Sequence, residues 1–135
     1  MIKIYEHQGK LPVWHLRGNE TNTMPGYSGI PVVIDAALKG FDNIDLEKVF
    51  EAAKVSATGD FEPGVKDLME RGYIPADFMV ESVASSMEYA IGDWGIAQLA
   101  KKLGKEEDYE YFINRSKAYK QYFDPETRFM RGKLS

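Results

Sequence analysis

The stretch from His15 to Gly29, HLRGNETNTMPGYSG, holds one carboxylate, Glu20, among Gly, Asn, Thr and Ser. Such a composition belongs to a loop. Two chemistries are open to a lone carboxyl there. It ties the loop down, by pairing with Arg17 or by accepting backbone N–H bonds. Or it is kept protonated by apolar shielding or a nearby negative charge, and gives its proton to a leaving group. Trp14, Leu16 and Met24 are the candidate apolar walls, and Asn19, Thr21, Asn22 and Thr23 are candidates to hold substrate hydroxyls.

The other chemistry-bearing residues are weaker signals. Asp77 and Glu81 flank the entry to the longest helical pattern, where an N-terminal cap and the helix dipole account for both. Asp93 precedes Trp94 on a pattern that reads as buried, so it requires a salt-bridge or hydrogen-bond partner. His7 and His15 stand apart, with no H-x-x-x-H or calcium-loop spacing, and no metal ligand set can be named. His15, between Trp14 and Leu16, reads as a structural histidine. Neither a G-x-S-x-G elbow nor a phosphate-cradling glycine motif occurs.

The elements that must carry these residues are helical. GIPVVIDAALKG places Ile30, Val33, Ile34, Ala37 and Leu38 on one stripe, with Ser28 as candidate cap, Pro31 in the first turn and Gly40 as stop. The next helix starts at Asp45 and turns Leu46, Val49, Phe50, Ala53 and Ala57 inward. A short one spans Pro63 to Arg71 and ends at Gly72, and Pro75 keeps Ile74 extended. The longest covers about Glu81 to Leu103. Its apolar residues run almost all the way round, which predicts burial among several neighbours. Gly92 and Gly95 inside it suit the close approach of a neighbouring helix. KEEDYEYFINRSKAYKQYF predicts one further helix, and a turn follows at Asp124–Pro125. These five helices with short linkers and no convincing strand pair predict an all-α chain of antiparallel helical hairpins.

The chain has 135 residues, 44% hydrophobic, enough for one core. Its 17 Lys and Arg are outnumbered by 21 Asp and Glu, and no basic run occurs, so no nucleic-acid partner is expected. Cysteine is absent, which excludes disulfides and thiolate metal sites. No apolar run approaches the roughly 20 residues that span a bilayer, and MIKIYEHQGK has no apolar signal core. Membrane association is therefore not expected. Eight tyrosines suit sugar or protein surfaces, since a ring offers an apolar face and a polar edge.

LPVWHLRGNETNTMPGYSGIPVVIDAALKGF, GYIPAD, ESVASSMEYAIGDWGIAQLAKKLG and YFDPETRFMRGK together resemble glycoside hydrolase family 92, exo-acting α-mannosidases of the α-1,2-mannosidase type. The resemblance covers nearly the whole chain in the same order. It implies that residues 1–135 are a fragment of that family's catalytic domain, an α/α six-hairpin toroid, without its N- and C-terminal portions. It also implies an inverting mechanism on mannose-containing glycans, assisted by a calcium ion whose ligands are not identifiable here, and a periplasmic or secreted setting. On this resemblance Glu20 matches the general acid, and Trp14, Asn19 and Glu81 contact mannose. The general base belongs to a later G-N-x-D-x-G-x-M-S-A-W type stretch that this chain does not contain, so the chain alone is expected to be inactive. EYAIGDWGIA departs from the family's E-Y-A-Y-D-D-W-C-I-A at Ile91, Gly92 and Gly95, and Pro25 replaces a more usual apolar residue. The rival reading is a non-catalytic helical protein-interaction module. Because about five helices cannot close a six-hairpin ring, apolar helix faces left open in the fragment are expected to drive self-association.

Overall fold

The computed structural model describes all 135 residues. Six α-helices carry the chain: α1 Ile2–Gln8, α2 Gly29–Lys39, α3 Leu46–Thr58, α4 Val65–Arg71, α5 Ser82–Lys102 and α6 Glu106–Arg115. A 3-10 turn at Ala118–Tyr122 follows α6. Two minimal antiparallel hairpins complete the fold, β1 His15–Leu16 with β2 Asn19–Glu20, and β3 Phe123–Asp124 with β4 Phe129–Met130. The all-α expectation holds, and α1 is the helix beyond the five that were expected.

Local signals set most helix ends. The Asp45 carboxylate accepts the Lys48 N–H at 3.1 Å and caps α3. Pro31 lies in the first turn of α2, and Gly40 leaves that helix in the left-handed region at φ 75°. Ser28, expected to cap α2, makes no such bond. Its φ of −56° and ψ of −25° are already helical, so its hydroxyl is not presented to the first N–H groups. The expected long final helix breaks after Arg115. Ser116 turns its hydroxyl back to the Ile113 carbonyl, and the chain tightens into the 3-10 turn. That turn drives Tyr122 into the core, where its hydroxyl accepts the Ile74 N–H at 2.7 Å and shares a bond with Ser86 Oγ. Phe123, the last residue of the expected helix, lies on β3 instead and is exposed.

The core is one cluster in which α5 is central, packed against α2, α3 and α6. Ile30, Ile34, Val49, Phe50, Leu68, Ile74, Ile96, Leu99 and Phe112 fill it. The linkers between α2 and α3 and between α5 and α6 are short, and each pair packs together, which makes them antiparallel hairpins. The close approach of a helix expected at the α5 glycines is met at Gly95 alone, and Gly92 meets a loop tyrosine instead. A Cβ on Gly92 would lie 2.4 Å from the Tyr27 ring, and one on Gly95 would lie 3.2 Å from Ile34 of α2. One stripe of α5 stays open nonetheless, with Ile91 and Trp94 more than half exposed.

Candidate active site

The loop that carries Glu20 is held at both ends. At its entry the Leu11 N–H donates to Ser56 Oγ of α3 at 2.8 Å, and Lys10 pairs with Glu62 at 2.6 Å. At its exit Gly26 lies so close to α5 that a Cβ there would stand 2.5 Å from Glu88 Cβ. Tyr27 then buries its ring over Gly92, and its hydroxyl bonds the Asp93 carboxylate. Asp93 thereby has the partners its burial demands. Arg115 grips it through Nε at 2.6 Å and a terminal nitrogen at 2.5 Å. Burial opposes the charge on Arg115, but the hydrogen bonds and charge of Asp93 outweigh it and push the guanidinium pKa up. Burial first, then the Asp93 charge, raises the Tyr27 hydroxyl well above its usual range, so it remains a donor.

Between these anchors the loop forms the β1–β2 hairpin. His15 pairs with Glu20 and Leu16 with Asn19, across a two-residue turn of Arg17 and Gly18 with φ of 54° and 80°. Two positive φ values are those of a type I′ turn, which matches the twist of paired strands. The Glu20 carboxylate folds back into its own loop. It accepts the Val13 N–H at 2.7 Å, the Trp14 N–H at 2.8 Å and the Asn22 N–H at 2.9 Å. Burial alone raises its pKa, but the amides of Trp14, Asn22 and Val13 outweigh that and hold Glu20 below the ordinary glutamate range. Trp14, Leu16 and Met24 are all exposed and supply no apolar shield. Of the two chemistries open to Glu20, this chain by itself displays the staple. His15, read as a structural histidine, is exposed on β1.

Glu81 lies elsewhere. It occupies the position before α5, yet its side chain makes no cap bond, because its backbone at φ −93° and ψ 24° is not the extended form that aims a cap. Asp77 is no cap either. Its carboxylate accepts the N–H and hydroxyl of Ser135 at 3.0 and 2.9 Å, where the C-terminal strand of chain runs back along residues 73–77. Glu81 instead lines a cavity of about 150 Å³ between α5 and the 22–26 arm of the loop. Trp14, Asn19 and Glu20 do not line it, so the structure separates the hairpin residues from Glu81. The cavity also holds two residues that sequence reasoning missed, Glu62 and Ser85. Ser85 was legible in principle, since Glu81, Ser85 and Tyr89 recur at four-residue spacing on one helix face. Glu62, 52 residues from its partner Lys10, carried no local signal.

No group of three or more His, Cys, Asp or Glu side chains able to hold a metal ion occurs in the chain. These residues by themselves offer no carboxylate cluster around which a calcium ion could be placed.

The whole chain, residues 1–135, matches the pattern of the glycosyl hydrolase family 92 catalytic domain. The chain belongs to glycoside hydrolase family 92. It is similar to a solved family GH92 α-mannosidase from Bacteroides thetaiotaomicron, at 42% identity over 100% of this chain and 19% of that one, with a TM-score of 0.95. A structure of that α-mannosidase in complex with mannoimidazole aligns with a TM-score of 0.94, again at 42% identity over 100% of this chain and 18% of that one. A family GH92 inverting mannosidase from the same organism aligns at 28% identity over 98% of this chain and 19% of that one, with a TM-score of 0.85. An uncharacterized secreted glycosidase of Arthroderma benhamiae is 31% identical over 98% of this chain and 19% of its own length. The chain thus spans about a fifth of the relatives it matches. Family 92 membership assigns it to a glycoside hydrolase catalytic domain, an α/α toroid, and the six helices are a portion of that ring. No helix of the chain is long and apolar enough to cross a membrane.

Proposed function

We propose that these residues form the acid-bearing portion of an exo-acting, inverting α-mannosidase that removes mannose from α-1,2-linked glycans outside the cytoplasm. The observation that carries the reading is the match over all 135 residues to a GH92 α-mannosidase at 42% identity with a TM-score of 0.95. In this reading Glu20 protonates the leaving oxygen, and Trp14, Asn19 and Glu81 contact mannose. Inversion needs a second carboxyl across the sugar, roughly 6.5–9.5 Å from the first with a water between. That base is assigned to the rest of the domain. So is any calcium ion, and no step here depends on one.

Acid catalysis asks for a protonated Glu20, whereas three amides hold it ionised in the isolated chain. The proposal therefore requires the completed site to reverse the balance. A bound sugar removes solvent from the exposed hairpin, and a facing carboxylate adds negative charge; both raise a carboxyl pKa.

The test is Glu20→Gln in the full-length protein that contains these residues. General acid catalysis is worth about 10²–10⁴-fold, so glycosides with poor leaving groups should lose about that much. Activated aryl α-mannosides, which need little protonation, should lose far less. Equal loss on both substrates sinks the acid role. Stability does not discriminate, because glutamine also gives up one acceptor oxygen of the staple and should cost about 1 kcal/mol.

A further inference from the structure

The hairpin register that sets His15 opposite Glu20 continues to Trp14 opposite Thr21. The Thr21 N–H donates to the Trp14 carbonyl at 3.0 Å, which marks a hydrogen-bonded pair. In an unbroken ladder such a pair exchanges two backbone bonds. Here the second is missing, because the Trp14 N–H goes to Glu20 Oε1 at 2.8 Å and not to the Thr21 carbonyl. The Thr21 hydroxyl makes up the loss by donating to the same Trp14 carbonyl at 2.9 Å. Its one proton is then spent, so in its 3.3 Å contact with the Thr23 hydroxyl it is the acceptor. A chain of donors therefore runs from Thr23 through Thr21 to Trp14, and the Trp14 backbone is held at both its N–H and its carbonyl. The carboxylate gains from the broken ladder. Oε1 of Glu20 accepts two N–H groups, from Trp14 and Asn22, whereas Oε2 accepts only that of Val13. Oε2 is thus the oxygen with room for a proton, and a protonated carboxyl keeps all three amides.

We propose that Thr21 is a positioning residue for the acid: its hydroxyl locks the Trp14 backbone, so that the Trp14 N–H stays on Oε1 of Glu20 and Oε2 is left to carry the proton. This role rests on the mannosidase reading above and adds to it a residue that acts through Glu20. It also reassigns Thr21. By composition its hydroxyl was a candidate to hold substrate, but its proton is committed to Trp14. The side chain is exposed, so its hydroxyl is not needed to fill or satisfy the core. Valine would keep the β-branched shape and the backbone bond to Trp14 while removing only the hydroxyl.

The experiment compares Thr21→Val, Thr21→Ser and Glu20→Gln in the full-length protein that contains these residues. The substrates are α-1,2-mannobiose, which has a poor leaving group, and a dinitrophenyl α-mannoside, which needs little protonation. Thr21→Val should melt with the parent. Its kcat on mannobiose should fall about 10-fold, the order expected when an acid loses the alignment one hydrogen bond supplies. KM and the rate on the aryl substrate should hold, and Thr21→Ser should restore kcat. A KM raised on both substrates with kcat unchanged would make Thr21 a sugar contact and overturn the positioning role. Parental kcat on mannobiose in Thr21→Val, or equal losses on both substrates, overturns it too. If Glu20→Gln alone shows the leaving-group dependence, this role fails and the mannosidase reading stands. If Glu20→Gln also treats the two substrates alike, both fail.

Discussion

Arg17 stands at φ 54° in the two-residue turn, a conformation that a residue with a long side chain adopts at a cost. Asparagine tolerates it and is the preferred residue of a type I′ turn. Arg17→Asn should therefore stabilise the chain by about 0.5–1 kcal/mol, read as a rise in melting temperature, with the β1–β2 register unchanged. Asp124 shows how much a single carboxylate organises at the other hairpin. It accepts from Arg131 at 2.7 Å, from the Thr127 hydroxyl at 2.8 Å and from the Glu126 N–H at 3.0 Å. Arg131 first, then Thr127 and Glu126, hold its carboxyl down at about 2, against an ordinary 3.8. A folded-state pKa below the unfolded one means that its stabilisation is complete above about pH 4 and is lost as pH falls toward 2. A carboxyl NMR titration should give that low midpoint, and Arg131→Ala should move it up toward the ordinary value. A midpoint unmoved by the substitution would show that Arg131 is not the cause.

At the level of elements, the Asp93–Arg115 pair joins α5 to α6 at the point where the opening loop re-enters the core through Tyr27. The pair is sealed, with side chains 0% and 5% exposed. Removing one partner strands the other's charge, which costs about 3–5 kcal/mol, whereas replacing both with apolar groups costs far less. Asp93→Ala should lose stability of that order in chemical denaturation. Adding Arg115→Met should recover a large part of it. If the double variant is as unstable as the sum of the singles, the pair contributes by packing rather than by charge.

For the whole molecule, the open stripe of α5 has a consequence for solution behaviour. Met87, Ile91 and Trp94 of α5 and Ile113, Tyr119 and Met130 border a groove of about 670 Å³. Lys117 and Lys120, at the 3-10 turn after α6, line its other edge. A second copy seated on this face would cover its apolar floor. The 135-residue chain should dimerise in sedimentation at rising concentration, and Trp94→Glu should return it to monomer. A parent that stays monomeric and binds no hydrophobic dye would rule this out.

Elements whose signals are local were legible along the chain alone. Asp45 as cap, Pro31 in a first turn, Gly40 and Gly72 as stops and the four-residue apolar stripes depend on residues within a turn or two of one another. Family membership was also legible, because GNET, GYIPAD and EYAIGDWGIA lie in order along the chain. Whatever depends on partners far apart in the chain was set only by folding. Asp93 asked for a partner but could not name Arg115, 22 residues on, or Tyr27, 66 residues back. The helix pattern ran through Ser116 to Phe123, and only the space beside Ser86 and Ile74 turned Tyr122 inward instead. Glu62 was invisible until folding brought Lys10 across 52 residues. For Glu20 the sequence left staple and acid side by side. The backbone amides of Val13 and Trp14 converge on it only once the hairpin closes, and that closure sets its charge.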